Sequence, residues 1–162
     1  MAFKDLKDSW RRKSSAPPEA EAPRPTVLVI DDDAAARDAL HFVLQDKYEV
    51  LRCASATEGL EAFHDGVCVV ILDVKMEVHD GFWACDELRK KQPDIPIIFY
   101  SAYQDIKDPS KVIIEHQPFD YVVKDGDLKR ISTAIDTAAR VYALMAENKK
   151  ILARLKGQER GG

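Results

Sequence analysis

Five polar side chains, Asp31, Asp32, Asp73, Ser101 and Lys124, are of types that suit one chemistry, and they cluster at the ends of four largely apolar runs. Asp31 and Asp32 follow Thr26 to Ile30, Asp73 follows Val67 to Leu72, Ser101 follows Ile95 to Tyr100, and Lys124 follows Phe119 to Val123. The carboxylates can supply a nucleophile and metal ligands, the hydroxyl a hydrogen-bond donor, and the ammonium a fixed cation. Those are the parts needed for phosphoryl transfer to a carboxylate. Two carboxylates brought to about 4 Å repel by roughly 4 kcal/mol at an effective dielectric near 20. A divalent cation relieves that repulsion, and an all-oxygen ligand set favours Mg2+ over zinc. Asp33 is expected to cap the helix that follows it. His64, His79 and His116 have no ligand-like spacing and read as solvated.

These groups can meet only if their strands lie side by side and end at one edge. Val67-Cys68-Val69-Val70-Ile71-Leu72 has the length and β-branched content of a strand buried on both faces, as in a parallel sheet. From Thr26 onward strands alternate with helical patterns, which calls for a parallel sheet covered on both sides. The expected strands are Thr26 to Ile30, Tyr48 to Arg52, Val67 to Leu72, Ile95 to Tyr100 and Phe119 to Val123. Ala36, Leu40, Val43 and Leu44 mark the first helix, and Ser55-Ala56-Thr57-Glu58 is a capping box opening the second. Asp80-Gly81 opens a third helix, a polar one is expected over Gln104 to His116, and Asp125-Gly126-Asp127 caps a last helix running to about Leu155. In open sheets of this kind ligands sit beyond the carboxyl ends of the strands, where all five residues fall.

The chain has 162 residues, of which 46% are hydrophobic, enough for one domain with extensions. Residues 1–25 read as a disordered tail, 26–146 as the domain, and 147–162 as a C-terminal helical extension with a flexible end. Within the tail Phe3, Leu6 and Trp10 share a helical face beside Arg11-Arg12-Lys13, a pattern open to docking or to a membrane surface. A formal net charge of −4 without a basic stripe argues against nucleic acid as a partner. Cys53, Cys68 and Cys85 are too few and too irregular for a disulfide framework or a metal cluster, and Cys68 reads as a buried thiol. No apolar run reaches the roughly 18 residues of a membrane span and no signal-peptide segment opens the chain, so a cytoplasmic protein is expected.

Val-Leu-Val-Ile-Asp-Asp with Arg37 five residues on, Leu-Asp-Val-Lys-Met followed by Asp80-Gly81, Tyr-Ser-Ala, and Tyr-Val-Val-Lys stand in an order that resembles the receiver domain of bacterial two-component response regulators, of a stand-alone type. The resemblance runs from Thr26 to about Ala146. It implies the flavodoxin-like strand order 2-1-3-4-5, with helices on both faces and here an extended C-terminal helix. It implies Asp73 as phosphoacceptor, with Mg2+ held by Asp31, Asp32, Asp73 and the backbone carbonyl of Lys75. Ser101 and Lys124 would attend the phosphoryl group, and Ser101 with Tyr121 would form the switch. The implied donor is a sensor histidine kinase or phosphotransfer protein, and the implied output is contact with another protein rather than turnover of a substrate. Lys75 and Tyr103 stand where the family tunes water access, so a long-lived phosphoaspartate is expected. Two residues depart from the family's pattern: Glu77 and Asp125 replace prolines. The second matters more, because the family's Lys-Pro bond is commonly cis and a cis bond before Asp125 would cost roughly 2.5–4 kcal/mol.

Two other functions compete. Asp31-x-Asp33 superficially matches an aspartate-nucleophile phosphatase, but Ala35 stands where such enzymes need Thr or Val. A pseudo-receiver that only binds partners is the alternative, which the intact acceptor, metal and cation residues argue against. In the last helix Val141, Leu144, Asn148, Ile151 and Leu155 repeat at alternating spacings of three and four. That seam suits a two-stranded coiled coil and hence a homodimer.

Overall fold

The computed structural model describes residues 22–161. The tail face of Phe3, Leu6 and Trp10 lies outside the described residues, and so does the Tyr103 side chain. Five parallel strands form one sheet in the order β2-β1-β3-β4-β5. They are β1 (Thr26–Ile30), β2 (Glu49–Cys53), β3 (Val67–Leu72), β4 (Ile97–Ser101) and β5 (Asp120–Val123). The helices are α1 (Ala34–Leu44), α2 (Ala56–Ala62), α3 (Gly81–Lys91), α4 (Pro109–His116) and α5 (Leu128–Glu159). The expected flavodoxin-like α/β fold is therefore the fold adopted.

Because successive strand side chains point to opposite faces, each strand feeds two cores. Val27, Val29, Val69, Ile71, Ile98 and Val122 pack under α1 and α5, against Leu40, Leu44, Ile131, Ile135 and Ala138. Leu28, Ile30, Val70, Leu72, Ile97 and Phe99 pack on the other face, against Ala84, Cys85, Leu88 and Val112 of α3 and α4. β3 is buried at every position. Cys68 lies in it, and burial pushes its thiol up to about 11, as expected of an inert core cysteine.

Several boundaries differ from the sequence reading. β2 begins at Glu49 rather than Tyr48, whose hydroxyl instead donates to Asp136 in α5 at 2.7 Å. β4 begins at Ile97 rather than Ile95, because Pro96 has no N–H for the ladder and only its carbonyl pairs, with the Val70 N–H at 2.9 Å. The single helix expected over Gln104 to His116 is two pieces. A 3-10 turn spans Tyr103–Asp105, and α4 starts afresh at Pro109 with Asp108 as its cap. Proline disfavours helical backbone at the residue before it, so a continuous helix through Asp108 was not available. The Lys124–Asp125 bond is trans, as is every peptide bond among the described residues. α5 runs to Glu159, four residues past the expected end.

Candidate functional site

The sheet delivers its polar residues to one edge. Asp31, Asp73 and Ser101 are buried there, with 2%, 6% and 0% exposure, while Asp32 is exposed. Paired neighbours fix the spacing: the Asp73 N–H donates to the Ile30 carbonyl at 2.9 Å, and the Lys124 N–H to the Ser101 carbonyl at 2.9 Å. Backbone bonds therefore tie the end of β3 to that of β1 and the end of β5 to that of β4.

Asp31, Asp32 and Asp73 each bring a carboxylate oxygen within 4.8 Å of the others. Burial, and then the negative charge of Asp31, hold the Asp73 carboxyl above the usual carboxylate range; the Ser101 hydrogen bond and Lys124 oppose this. Lys124 Nζ lies 2.6 Å from Asp31 Oδ2 and 3.6 Å from Asp73 Oδ2. Burial alone would push that ammonium down, yet the two carboxylates keep it above the ordinary lysine value. Lys124 therefore reaches the pocket through a trans bond, and the missing proline does not withdraw it. Ser101 Oγ donates to Asp73 Oδ1 at 2.8 Å. A set of three carboxylates with all-oxygen donors fits a hard divalent cation such as Mg2+.

Asp31, Asp32, Asp73, Ser101 and Lys124, singled out from sequence, thus converge. Lys75 is exposed in the loop after β3. Tyr121 is half-buried in β5, with its hydroxyl 3.5 Å from the Ala102 carbonyl it faces. Burial first, and then Asp105 and Asp73, raise its pKa. Asp33 is the cap of α1 as expected, its Oδ1 accepting from the Ala35 N–H at 2.9 Å.

Three residues at the site carry roles the sequence reading did not assign. Asp105 Oδ2 stands 3.1 Å from Ser101 Oγ, a second acceptor for one hydroxyl. Nothing in a linear pattern marks it, because the contact depends on the 3-10 turn after β4. Arg37 donates to the Asp31 carbonyl at 2.6 Å and fixes the end of β1 from the first helix. Gly81 begins α3 so close to β3 that a Cβ there would sit 2.2 Å from the Asp73 carbonyl oxygen. For Arg37 and Gly81 the signal was present in the sequence as quoted motifs, but not its mechanical meaning. On the open side a cleft of about 470 Å3 runs from Asp32 along Ala54, Ser55, Thr57 and Glu77 to His79.

The family model described as "Response regulator receiver domain" matches residues 27–136. The probable transcriptional regulator ycf27 of Cyanophora paradoxa is 37% identical over 116 residues, covering 70% of this chain and 48% of that protein. The chain spans about half the length of the curated relatives it matches. Among solved structures, a response regulator receiver domain protein from Clostridium thermocellum is 31% identical with a TM-score of 0.68, covering 74% of this chain and 98% of that one. The response regulator protein TrrA from Thermotoga maritima, solved in complex with Mg2+–BeF, is 29% identical with a TM-score of 0.62, covering 70% of this chain and 97% of that one.

Proposed function

We propose that this chain, which belongs to the response regulator receiver domain family of two-component signalling, accepts a phosphoryl group on Asp73 and signals through protein contact. The observation that carries the reading is that Asp73 is gripped on both oxygens, by the Ser101 hydroxyl on Oδ1 and the Lys124 ammonium on Oδ2, at a buried strand end. In the step, an Asp73 oxygen attacks phosphorus and forms an acyl phosphate. The P–N bond of a phosphohistidine donor, or the P–O bond of acetyl phosphate, breaks, and its electron pair leaves with the donor.

Asp31, Asp32, Asp73 and the Lys75 carbonyl would hold Mg2+, which when bound neutralises the anionic pocket and the incoming phosphoryl oxygens. The chain's own groups do the rest. Lys124 transfers its attraction from Asp31 to the new anion, Ser101 donates to a phosphoryl oxygen, and Tyr121 follows as Ser101 moves. Arg37 and Gly81 hold the ends of β1 and β3 in place while this happens. Lys75, exposed beside the acceptor, narrows the path of hydrolytic water and so lengthens the life of the phosphorylated form.

The partners that fit this chemistry are a sensor histidine kinase or phosphotransfer protein as donor, a downstream protein that reads the switch, and a second copy of the chain. Among the described residues no helix is long and apolar enough to cross a membrane. Residues 26–146 are the unit that carries the receiver chemistry, and 147–162 extend it. Labelling by acetyl phosphate tests the reading. Phosphate should appear with Mg2+ and be lost in EDTA or in Asp73→Asn. An unlabelled wild-type chain would instead make it a module that only binds partners, and label surviving in Asp73→Asn would place the acceptor elsewhere.

A further inference from the structure

Helix α5 carries two apolar stripes, and the fold uses only one. Ile131, Ala134, Ile135 and Ala138 are buried against the sheet, with Tyr142 half-buried at the end of the row. The second stripe, Val141, Leu144, Met145, Ile151, Leu152 and Leu155, remains 37% to 56% exposed. At about 100° per residue it lies roughly a quarter turn from the first, so the domain's own core cannot cover it. The helix also outruns its sheet. Its 32 residues span about 48 Å, whereas strands of four to six residues reach no more than about 20 Å. An ion pair from Lys149 to Asp94, in the loop between α3 and β4, ties the helix to the body on one flank and leaves the stripe facing outward.

We propose that the stripe pairs with the same stripe of a second copy, as a parallel two-stranded coiled coil with Val141, Asn148 and Leu155 at a positions and Leu144 and Ile151 at d. This deepens the second-copy partner named above and does not require Asp73 to accept phosphate. Three features select a second copy over an apolar groove on another protein. The repeat is a heptad, whose 3.5-residue period is the one that keeps two helices in register. Asn148 is the single polar residue in the seam from Val141 to Leu155. An amide offers both a donor and an acceptor, so an identical amide across a two-fold axis satisfies it, whereas an apolar groove would bury it unpaired at a cost. Finally, Arg154 falls at g and Glu159 at the following e, the positions that face each other between parallel strands. Symmetry makes that ion pair twice.

Because α5 starts just after Lys124, the pairing forms at the end of the molecule away from the acceptor edge. Both copies of Asp73 would stay open to a donor.

Light scattering on the full chain at tens of micromolar tests this, with helicity from circular dichroism and Mg2+-dependent labelling run alongside. The wild type should be a dimer, and Leu144→Glu with Ile151→Glu, both at exposed positions, should be a folded monomer that still labels. Arg154→Glu alone and Glu159→Arg alone should each weaken the dimer roughly tenfold at low salt, and an equimolar mixture of the two should restore it. A monomeric wild type overturns the proposal, and so does a dimer that survives the two glutamates. A dimer indifferent to the Arg154 and Glu159 variants overturns the parallel register. Loss of labelling in the wild type would count against the receiver chemistry and leave the pairing result standing.

Discussion

Ser101 has one hydroxyl proton and two carboxylates within reach, Asp73 at 2.8 Å and Asp105 at 3.1 Å. It can donate to only one at a time, and a hydroxyl bridging them holds the two carboxylates within about 6 Å of each other. A phosphoryl group on Asp73 would bring further negative charge against Asp105, so Asp105 opposes the phosphorylated state. Asp105→Asn is expected to raise the steady-state phosphorylated fraction a few-fold under limiting acetyl phosphate. An unchanged fraction, read on phosphate-affinity gels, would remove Asp105 from the switch. Asp73→Asn tests the other partner. Burial and Asp31 make an ionised Asp73 costly in the folded chain, so its loss should raise stability at neutral pH by on the order of 1 kcal/mol while abolishing labelling. The gain belongs above the raised Asp73 pKa and should shrink as the pH falls through it, because protonation relieves the wild type in the same way. A variant no more stable than wild type at pH 7 in urea titrations would mean that the Lys124 and Ser101 contacts already offset the burial.

At the scale of elements, most of the framework was legible. The runs of β1 and β3 were legible to the residue, because each is short, rich in β-branched side chains and closed by carboxylates, the marks of a strand buried on both faces. The five site residues were legible because they cluster at the ends of four strand-like runs. What was not legible depended on contacts that no local pattern carries. Tyr48 left its strand for Asp136, 88 residues away in sequence, and Asp105 reaches Ser101 only through the 3-10 turn. Asp108-Pro109, by contrast, was a readable helix start, and the longer helix expected there overlooked it. The same close fit gives Gly81 its use, since α3 must start against the backbone of the acceptor itself. Gly81→Ala should force the β3 end or α3 to shift, lowering stability by about 1–3 kcal/mol and slowing labelling. A variant with wild-type denaturation midpoint and labelling rate would show that the junction is looser than this geometry.

For the molecule as a whole, α5 is the strap that joins distant parts. It packs on one face of the sheet, reaches Lys47 and Tyr48 before β2 through Asp136, and reaches the α3–β4 loop through Tyr142 and Lys149. Asp136 is the most consequential of these polar ties. Burial alone would raise its carboxyl, but the hydrogen bonds from Lys47 and Tyr48 outweigh that and hold it below the usual carboxylate range. A carboxylate lowered by folding stabilises the fold above its unfolded pKa, near 3.9, and the contribution is lost as the pH falls below that. Asp136 and Asp73 therefore act in opposite senses, one a clamp that acid releases and the other a strain that acid relieves. Asp136→Asn keeps a hydrogen-bonding side chain but removes the charge. It should cost about 1–2 kcal/mol at pH 7, within the range for hydrogen bonds to a charged group. The difference from wild type should narrow as the pH falls below about 3.9, because there the unfolded wild-type chain takes up a proton that the folded carboxylate resists. Denaturation midpoints of the two proteins between pH 3 and 7 give the measurement. A constant offset across that range would mean that Asp136 acts through packing and that its charge does not help clamp the strap to the body.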